Sequence, residues 1–449
     1  SNGSISGEKV NFTVASVSSS TTAPTYRSTV ENSAHTKTLR EAADGSCDLA
    51  NGKQTANCYV IHAPGHYSFP LVYGNALNAD KTYNTNSYGT PTFVDHQGVQ
   101  IDDPYIYLTN KGANVPYDAC IVWQDAPHLI TPSSLKLSSD NHSIEFDVER
   151  DNICQGNSVI AVRDKDGNIM WSWHIWVTRY DPDAELVAYG KIYTWDNNGD
   201  GVVDYTFMDR NLGATIDKAI IENTAADSLA ACGLMYQWGR KDPFPGDHDF
   251  RRSNSTDYNY FESKPIYDTS GTLLTEGSAT GGTGIRSVKT DTDLTRTGLA
   301  KSILEPMTVL LGAEGYSDWY CSSKPAEIKK CDTLWCGTRG KTPFDPCPEG
   351  WRVPANKNDK FIWNGLENAT TDYSALGVFP YAGFRYRAGG GCLKNSGFGA
   401  SIWSGTPPTG IGNAHELSIY ISPSEKRPII KSDVSCRSDG QSIRCVKDA

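Results

Sequence analysis

The sequence lacks the features of several large protein classes. No apolar run approaches the ~20 residues that a membrane-spanning helix needs. No basic segment followed by an apolar one marks an export signal at the start. The first residues, Ser1 to Glu8, are small and polar. They fit either a mature lipoprotein tether just after a lipidated cysteine or the remnant of a tag.

The short patterns of common catalytic sites are missing as well. The chain contains no GxSxG, HExxH, GxxxxGK[ST] or GxGxxG string, and its nine histidines are scattered. Lys and Arg number 41 against 52 Asp and Glu, which gives a net charge of −11. There is no basic stripe that would suit a phosphate backbone. We therefore expect neither an enzyme nor a nucleic-acid-binding protein, and no required cofactor.

Cysteine is abundant, and its spacing argues against zinc. Twelve cysteines accompany only four methionines. No two cysteines form a CxxC pair, and the closest, Cys331 and Cys336, have no histidine pair nearby. Disulfides formed in an oxidising compartment explain this count better, so we expect an extracellular protein.

Length and composition are typical of a multi-domain β protein with many turns. The chain has 449 residues, with 41 Gly, 23 Pro and 23 Tyr, and this length suggests two to three domains. Residues 1–48 are dominated by Ser, Thr and Ala. One stretch there alternates like a strand, at Val10–Val14. We expect this segment to be a linker with an edge strand.

Short alternating segments in residues 49–183 predict an antiparallel β-sandwich. A Pro-Gly turn separates the first two segments, and a DKDGN turn at Asp164–Asn168 separates the last two. The run WSWHIWV indicates a strand covered on both faces, and Asp181–Glu185 is the expected boundary. The predicted strands are Cys58–His62, Tyr67–Val72, Tyr105–Leu108, Cys120–Gln124, Leu135–Leu137, Ser143–Val148, Ser158–Arg163 and Ile169–Thr178.

Residues 186–449 have longer loops, and helical periodicity is limited to Ile220–Leu229 and Ser302–Leu311. Five strings occur here in a fixed order: TWDNNGDGVVDYTFMDRNLGA, GLMYQWGRKDPFPG, DPCPEGWRVP, SIWSG and SIRCVKD. In these strings the segment resembles the Fibrobacter succinogenes major paralogous domain. The resemblance implies an α+β C-type-lectin-like domain. It also implies that the CP and RCV elements approach the core, where Cys347 can pair with Cys445.

The first half resembles the immunoglobulin-like region of Bacteroidetes fimbrillin-type surface proteins, in TANCYVIHAPGHYSFPLVYGNA and GNSVIAVRDKDGNIMWSWHIWVT. Together the two resemblances imply an N-terminal immunoglobulin-like β-sandwich and a C-terminal C-type-lectin-like domain. This architecture is similar to that of surface lipoproteins and pilus-tip adhesins. The implied location is extracellular, on the outer-membrane surface or at a pilus tip.

One segment offers oxygen ligands at alternate positions for Ca²⁺. The oxygen-bearing residues are Asp196, Asn198, Asp200 and Asp204. Phe207 stands where the closing Glu of such a loop is expected. The alternative is a hairpin turn between Lys191–Trp195 and Val202–Phe207. Sugar-binding calcium lectins carry EPN or QPD and WND, and the nearest strings here, EPM at 305–307 and WNG at 363–365, lack the coordinating residue.

A ligand surface is expected in the irregular stretch 384–423, where Arg and aromatic side chains stand near Gly-rich loops. The candidate ligand-binding residues are Arg385, Tyr386, Arg387, Trp403 and His415. The alternative is that Trp403 belongs to the core and that the two arginines pair with surface carboxylates.

Three functions follow from these patterns. The first is an adhesin that binds a glycan, or a host or bacterial surface protein, through the C-terminal domain. The second is a structural or accessory subunit of a pilus or outer-membrane assembly, in which a strand near Val10–Val14 is donated or accepted. The third is a cysteine-oxidising enzyme of related fold, which needs a reactive thiol. A membrane partner is expected only through a lipid anchor.

Overall fold

Strands make up most of the regular structure, and helices are few. The computed structural model describes residues 5–6, 9–10, 34–85, 93–183, 192–196, 199–216, 230–246, 266–274, 276–277, 282–283, 286–289, 295–312, 318–320, 333–337, 340–356, 361–363, 379–387, 391–406, 412–421 and 428–448. Within these ranges, no helix has the length and apolarity needed to cross a bilayer. A β-rich fold with several sheets is therefore confirmed.

Ten strands lie in the first half: β1 (Ile5–Ser6), β2 (Lys9–Val10), β3 (Cys47–Asp48), β4 (Cys58–Ile61), β5 (Gly65–Pro70), β6 (Asp118–Gln124), β7 (Lys136–Leu137), β8 (Ser143–Val148), β9 (Gly156–Arg163) and β10 (Ile169–Val177), counted over the described residues. Eight of them form two four-stranded sheets, with orders β3-β5-β8-β7 and β4-β10-β9-β6. The two-stranded hairpin β1-β2 precedes these sheets. Short 3₁₀ helices cover Asn110–Gly112 and Pro132–Ser134.

The prediction of a purely antiparallel sandwich is wrong at one edge of each sheet. β4 runs parallel to β10, and β3 runs parallel to β5. The predicted strands at the Pro-Gly turn do form, but the link 62–64 carries the chain from one sheet into the other instead of closing a hairpin. The strand predicted at Tyr105–Leu108 is reduced to one isolated bridge between Tyr105 and Val72.

Aromatic rings fill the space between these two sheets. The ring of Phe69 on β5 lies 4.7 Å from Tyr59 on β4 and 5.0 Å from Trp173 on β10, measured between centroids. Every residue of β10 after Ile169 is buried, which confirms that the tryptophan-rich strand is covered on both faces. Rings in this geometry contribute packing beyond the area they bury.

The described strands of the second half are β11 (Ile192–Trp195), β12 (Tyr205–Met208), β13 (Met235–Gln237), β14 (Glu276–Gly277), β15 (Gly282–Thr283), β16 (Arg286–Lys289), β17 (Thr308–Leu311), β18 (Cys336–Gly337), β19 (Gly340–Lys341), β20 (Trp351–Arg352), β21 (Phe384–Tyr386), β22 (Cys392–Lys394), β23 (Gly399–Trp403), β24 (Asn413–Ile421), β25 (Pro428–Cys436), β26 (Gly440–Ser442) and β27 (Val446–Lys447). They include a four-stranded sheet of order β11-β12-β27-β20 and a seven-stranded sheet. In the seven-stranded sheet the order is β22-β21-β26-β23-β24-β25, and β13 also pairs with β26.

Two α-helices are described, α1 (Ala34–Glu41) and α2 (Thr295–Leu304). α1 lies in the segment predicted to be a linker, and the buried side chain of Leu39 holds it against the core. The helix predicted at Ser302–Leu311 is wrong in its second half. α2 ends at Leu304, Pro306 prevents its continuation, and β17 follows. The other predicted helix, Ile220–Leu229, falls outside the described residues.

One hydrophobic core extends across both halves of the chain. Trp171 of β10 lies 5.2 Å from Phe344, measured between ring centroids. Gly74 has a φ of 47°, and a Cβ atom there would clash with the carbonyl group of Pro343. The chain was divided at 48–49 and 183–186 from sequence patterns, and that division stays a prediction. The described contacts join the predicted units through one packed interior.

Candidate functional site

Two of the predicted ligand-binding residues are buried, which corrects their assignment. The guanidinium of Arg385 donates to the carbonyl oxygens of Gly391 at 2.8 Å and Pro245 at 2.5 Å. The indole Nε1 of Trp403 donates to the carbonyl oxygen of Tyr236 at 2.8 Å. Both side chains are at most 1% exposed. They hold backbone carbonyls inside the protein, and a ligand cannot reach them there.

Tyr386 and Arg387 remain accessible and are held by neighbours. The Nη1 atom of Arg387 lies 3.0 Å from Oδ2 of Asp439, and the backbone N–H of Arg387 donates to Oδ1 at 2.8 Å. Lys394 places its ammonium 3.7 Å from the centre of the Tyr386 ring. The alternative prediction is that both arginines pair with surface carboxylates. Arg387 does pair with a carboxylate, but the side chain of Asp439 is only 4% exposed. Because the Arg387 side chain is 31% exposed, it can still contact a ligand.

His415 faces the opposite side of the seven-stranded sheet. Alternate residues of a strand point to opposite faces, and Leu417 and Ile419, which share the face of His415, belong to a buried cluster. The imidazole of His415 lies 5.3 Å from the Phe361 ring. Burial lowers the pKa of His415. The structure therefore separates His415 from Arg387, although the sequence placed them in one site.

On the other face of β24, the carboxyl group of Glu416 is buried. Gln441 donates a short hydrogen bond from Nε2 to Oε2 of Glu416. Burial raises the pKa of Glu416 to about 7, helped by the nearby carboxylates of Asp433 and Asp439. Burial also raises the pKa of Asp439, and Arg387 opposes that rise. At neutral pH the Glu416 carboxyl can therefore both donate and accept hydrogen bonds.

Glu416 lies at the edge of an open, polar sheet surface, which we call the polar face. Strand register places Asp433 opposite Glu416, and Lys431 opposite Ser418. Trp403 closes one end of this face, while Ser401 and Tyr420 lie toward the open end. The polar face comprises Ser401, Glu416, Ser418, Tyr420, Lys431 and Asp433, with Arg387, Ser435 and Asp439 at its margin.

Of the residues of the polar face, only Arg387 was predicted from the sequence. Residues 384–423 were predicted to be an irregular stretch, whereas the structure forms the paired strands β21, β22, β23 and β24 there. Most of the polar face comes from β23, β24 and β25. The alternation in AHELSIYI could have identified β24 and placed Glu416, Ser418 and Tyr420 on one side. Asp439 carries no such signal, because it follows β25 in a tight turn whose partners are distant in sequence.

The described residues of the predicted calcium segment lie between the paired strands β11 and β12. Oδ1 and Oδ2 of Asp196 accept hydrogen bonds from the backbone N–H groups of Gly199 and Gly201, both at 2.7 Å. Oδ1 of Asp200 accepts from Val202 at 2.8 Å. Asn198 lies outside the described residues. Where side chains are described, no group of three or more His, Cys, Asp or Glu is arranged to hold a metal. The geometry of Asp196 and Asp200 is thus that of a turn.

Cys347 and Cys445 form a disulfide, with Cα atoms 6.1 Å apart, as the family resemblance implied. The ammonium group of Lys341 is hydrogen-bonded to the loop that contains Cys347. Its Nζ donates to the carbonyl oxygens of Cys347 at 2.7 Å, Pro348 at 2.8 Å and Trp351 at 2.6 Å. The CPEGW string therefore wraps around a buried ammonium. No local sequence pattern indicates this role for Lys341.

A cysteine-oxidising enzyme needs a reactive thiol, and the closest cysteines in the sequence are Cys331 and Cys336. Cys331 is outside the described residues, and only the backbone of Cys336 is described, in β18. Elsewhere, burial raises the pKa of the Cys120 thiol to about 11, and it also raises the pKa of Cys392. These two thiols are poor nucleophiles at neutral pH.

Comparison of the chain with protein-family models, with curated proteins and with solved structures found no match.

Proposed function

We propose that this protein is an extracellular, non-enzymatic binding protein that recognises a glycan through the polar face. In this proposal the first half is an immunoglobulin-like sandwich and the second half is a C-type-lectin-like domain. The protein is displayed on the outer-membrane surface or at a pilus tip, with a lipid anchor as its only contact with a membrane. Neither Ca²⁺ nor another cofactor is required for binding.

The arrangement of Arg387, Asp439 and Glu416 carries this proposal. The buried carboxyl groups are fixed by Gln441 and Ser435, while the Arg387 side chain reaches solvent. Fixed donors and acceptors lose little freedom when a ligand binds. Sugar hydroxyl groups both donate and accept hydrogen bonds, so this alternation of guanidinium, carboxyl and hydroxyl groups suits them.

An aromatic side chain on the same face adds an apolar contact. The Lys431 ammonium lies 5.5 Å from the centre of the Tyr420 ring, and its hydrogen bond with Tyr420 raises the pKa of Lys431. An oriented tyrosine ring offers a flat apolar surface beside a polar hydroxyl. A sugar ring can pack on such a surface while its hydroxyl groups bond to the neighbouring side chains.

The full chain is the right sample for the test, because its core is continuous between the two halves. We would apply it to a broad glycan array with calcium and with a calcium chelator. The proposal predicts reproducible binding to a small set of glycans in both conditions. Binding only with calcium would shift the site to the Asp196–Asp204 turn, and no binding to any glycan would contradict glycan recognition.

A further inference from the structure

A groove of about 440 Å³ lies where the first half meets the second, away from the polar face. Its walls are β3 and β4, the segment Asp181–Asp183, and the turn that contains Pro348 and Trp351. Residues 58 to 63 all contribute to the lining, so the groove follows β4 along its length. Its volume is within the range of pockets that hold small ligands.

One long edge of this groove is an open strand edge. β4 is the terminal strand of its sheet and pairs with β10 on one side. On that side, the carbonyl oxygen of Asn57 accepts a hydrogen bond from the backbone N–H of His174 in β10. The carbonyl oxygen of Ile61 accepts one from the N–H of Thr178, which directly follows β10. The N–H and C=O groups of successive residues in a strand point to opposite edges. Those of Val60 therefore point away from β10, into the groove.

A neighbouring segment begins to pair with this edge and then leaves it. Cys58 forms an isolated parallel bridge with Pro348, the one pairing recorded among the described residues on the open side of β4. The backbone N–H of Trp351 then donates back to Pro348 at 3.1 Å, which turns the chain away. The space beside Val60 is therefore left for another strand.

The groove is also acidic. Four carboxylate residues line it against the single lysine Lys53. They are Asp48, Asp181, Asp183 and Glu349. Lys447, outside the lining, lies 3.6 Å from Asp183, and an excess of negative charge remains when it is counted. Like-signed groups around a concave site raise the local concentration of the opposite charge.

We propose that this groove binds an extended, lysine- or arginine-containing peptide segment of a partner protein, which adds as a strand to the open edge of β4. The main-chain groups of Val60 provide the pairing, and the carboxylates select cationic side chains. This is strand addition at a sheet edge, with affinity from the backbone and specificity from the lining. The proposal does not depend on glycan recognition, because the two surfaces share no residue.

The probe is a blocked peptide of alternating lysine and valine, about six residues long, the length of a common strand. Titration of the full chain with this peptide is followed by calorimetry at low and at physiological salt. We expect saturable binding that weakens as salt rises. The same peptide with glutamate in place of lysine, and a copy N-methylated at alternate residues, are expected not to bind.

Substitutions in the protein separate the contribution of main-chain pairing at Val60 from that of the acidic lining. Val60→Pro removes the N–H that faces the groove, and proline is tolerated on edge strands. Val60→Thr changes the side chain but keeps the N–H, and it is the matched control. Glu349→Lys reverses one charge in the lining. Its control is Asp166→Lys, in the exposed turn about 20 Å away along β10. We expect a loss of at least about tenfold in affinity for Val60→Pro and for Glu349→Lys, and none for the controls.

Three results would overturn the proposal. The first is absence of binding by the lysine–valine peptide, and the second is undiminished binding by its N-methylated copy. The N-methylated peptide tests the wild-type protein, so the outcome holds even if Val60→Pro fails to fold. A concentration-dependent dimer that excludes the peptide would assign the groove to a second copy of this chain and would also contradict the proposal.

Discussion

The side-chain amide of Asn57 donates a hydrogen bond to the carbonyl oxygen of Pro343, 2.6 Å away and 286 residues further along the chain. The same Nδ2 atom donates to the carbonyl oxygen of Asp345 at 2.9 Å. Its Oδ1 atom accepts from the indole of Trp171 at 2.9 Å. A single buried amide therefore links β10, the chain before β4 and the loop that carries the disulfide.

We expect Asn57→Ala to destabilise both halves together. The substitution leaves the Trp171 N–H and two carbonyl groups without their partner in the interior, and the expected loss is about 2–4 kcal/mol in the free energy of unfolding. Urea denaturation followed by tryptophan fluorescence measures it. Asn152→Ala, at an exposed site, is the control and should change stability by less than about 0.5 kcal/mol. Two separate transitions in the wild-type protein would contradict the shared core.

Removal of the disulfide should lower the free energy of unfolding by an amount comparable to that for Asn57→Ala. Cys347 and Cys445 are separated by 98 residues, and closing a loop of that length restricts the unfolded chain by about 4–5 kcal/mol in the chain-entropy treatment. We expect the double variant Cys347→Ala/Cys445→Ala to lose about 2–5 kcal/mol. The half-buried Cys120 provides a matched control, as Cys120→Ala. Equal stability of the double variant and the control would show that the disulfide does not support the fold.

The buried ion pair of Lys241 and Asp242 gives a third prediction. Nζ of Lys241 lies 2.8 Å from Oδ1 of Asp242 and 2.6 Å from Oγ of Ser172. Lys241→Met strands the Asp242 charge in the interior, and we expect a loss of about 3–5 kcal/mol. Adding Asp242→Asn should recover part of it in a double-mutant cycle. At the more exposed pair of Arg163 and Asp118, Arg163→Met should cost less than about 1 kcal/mol. Equal costs at the two sites would refute the role assigned to burial.

The stability of the protein should depend on the ionisation of Glu416. The pKa of this carboxyl is raised from 4.5 to about 7, so the folded protein holds the proton more tightly than the unfolded chain. Its stabilising contribution is therefore complete below about pH 4.5 and is lost as pH rises through about 7.

We expect Glu416→Gln, which mimics the protonated group, to gain about 2–3 kcal/mol relative to wild type between pH 4.5 and pH 8. Urea denaturation at a series of pH values gives this difference directly. Glu41→Gln on the exposed end of α1 is the control and should keep the wild-type pH dependence. A constant difference between Glu416→Gln and wild type at every pH would rule out the raised pKa.

The strands of the first half could be predicted because their signals are local. Alternation gave Ser143–Val148 with the bounds of β8, and Ile169–Thr178 exceeds β10 by one residue. Sheet membership could not be predicted in the same way. Whether the chain turns back after Ile61 or crosses to the other sheet depends on β10, whose pairing residues lie more than 100 positions away.

The candidate site shows the same division. Composition predicted a ligand surface in residues 384–423, and Arg387 is accessible there. Arg385 and Trp403 are buried, and they donate to the carbonyl oxygens of Pro245 and Tyr236, which are distant in sequence. His415 lies on the face of the seven-stranded sheet opposite the polar face, because alternate residues of a strand point to opposite faces. Burial set by tertiary packing, rather than residue type, therefore decides which of these side chains a ligand can meet.

The most direct test of glycan recognition compares two arginines of similar exposure. Arg387 is 31% exposed beside Asp439, and Arg163 is 35% exposed beside Asp118, on a different sheet. Each is replaced by alanine, folding is checked by thermal denaturation, and the affinity for the strongest array glycan is measured. The account predicts at least about tenfold weaker binding for Arg387→Ala and unchanged binding for Arg163→Ala. Equal affinity of a folded Arg387→Ala variant and the wild-type protein would contradict recognition through the polar face.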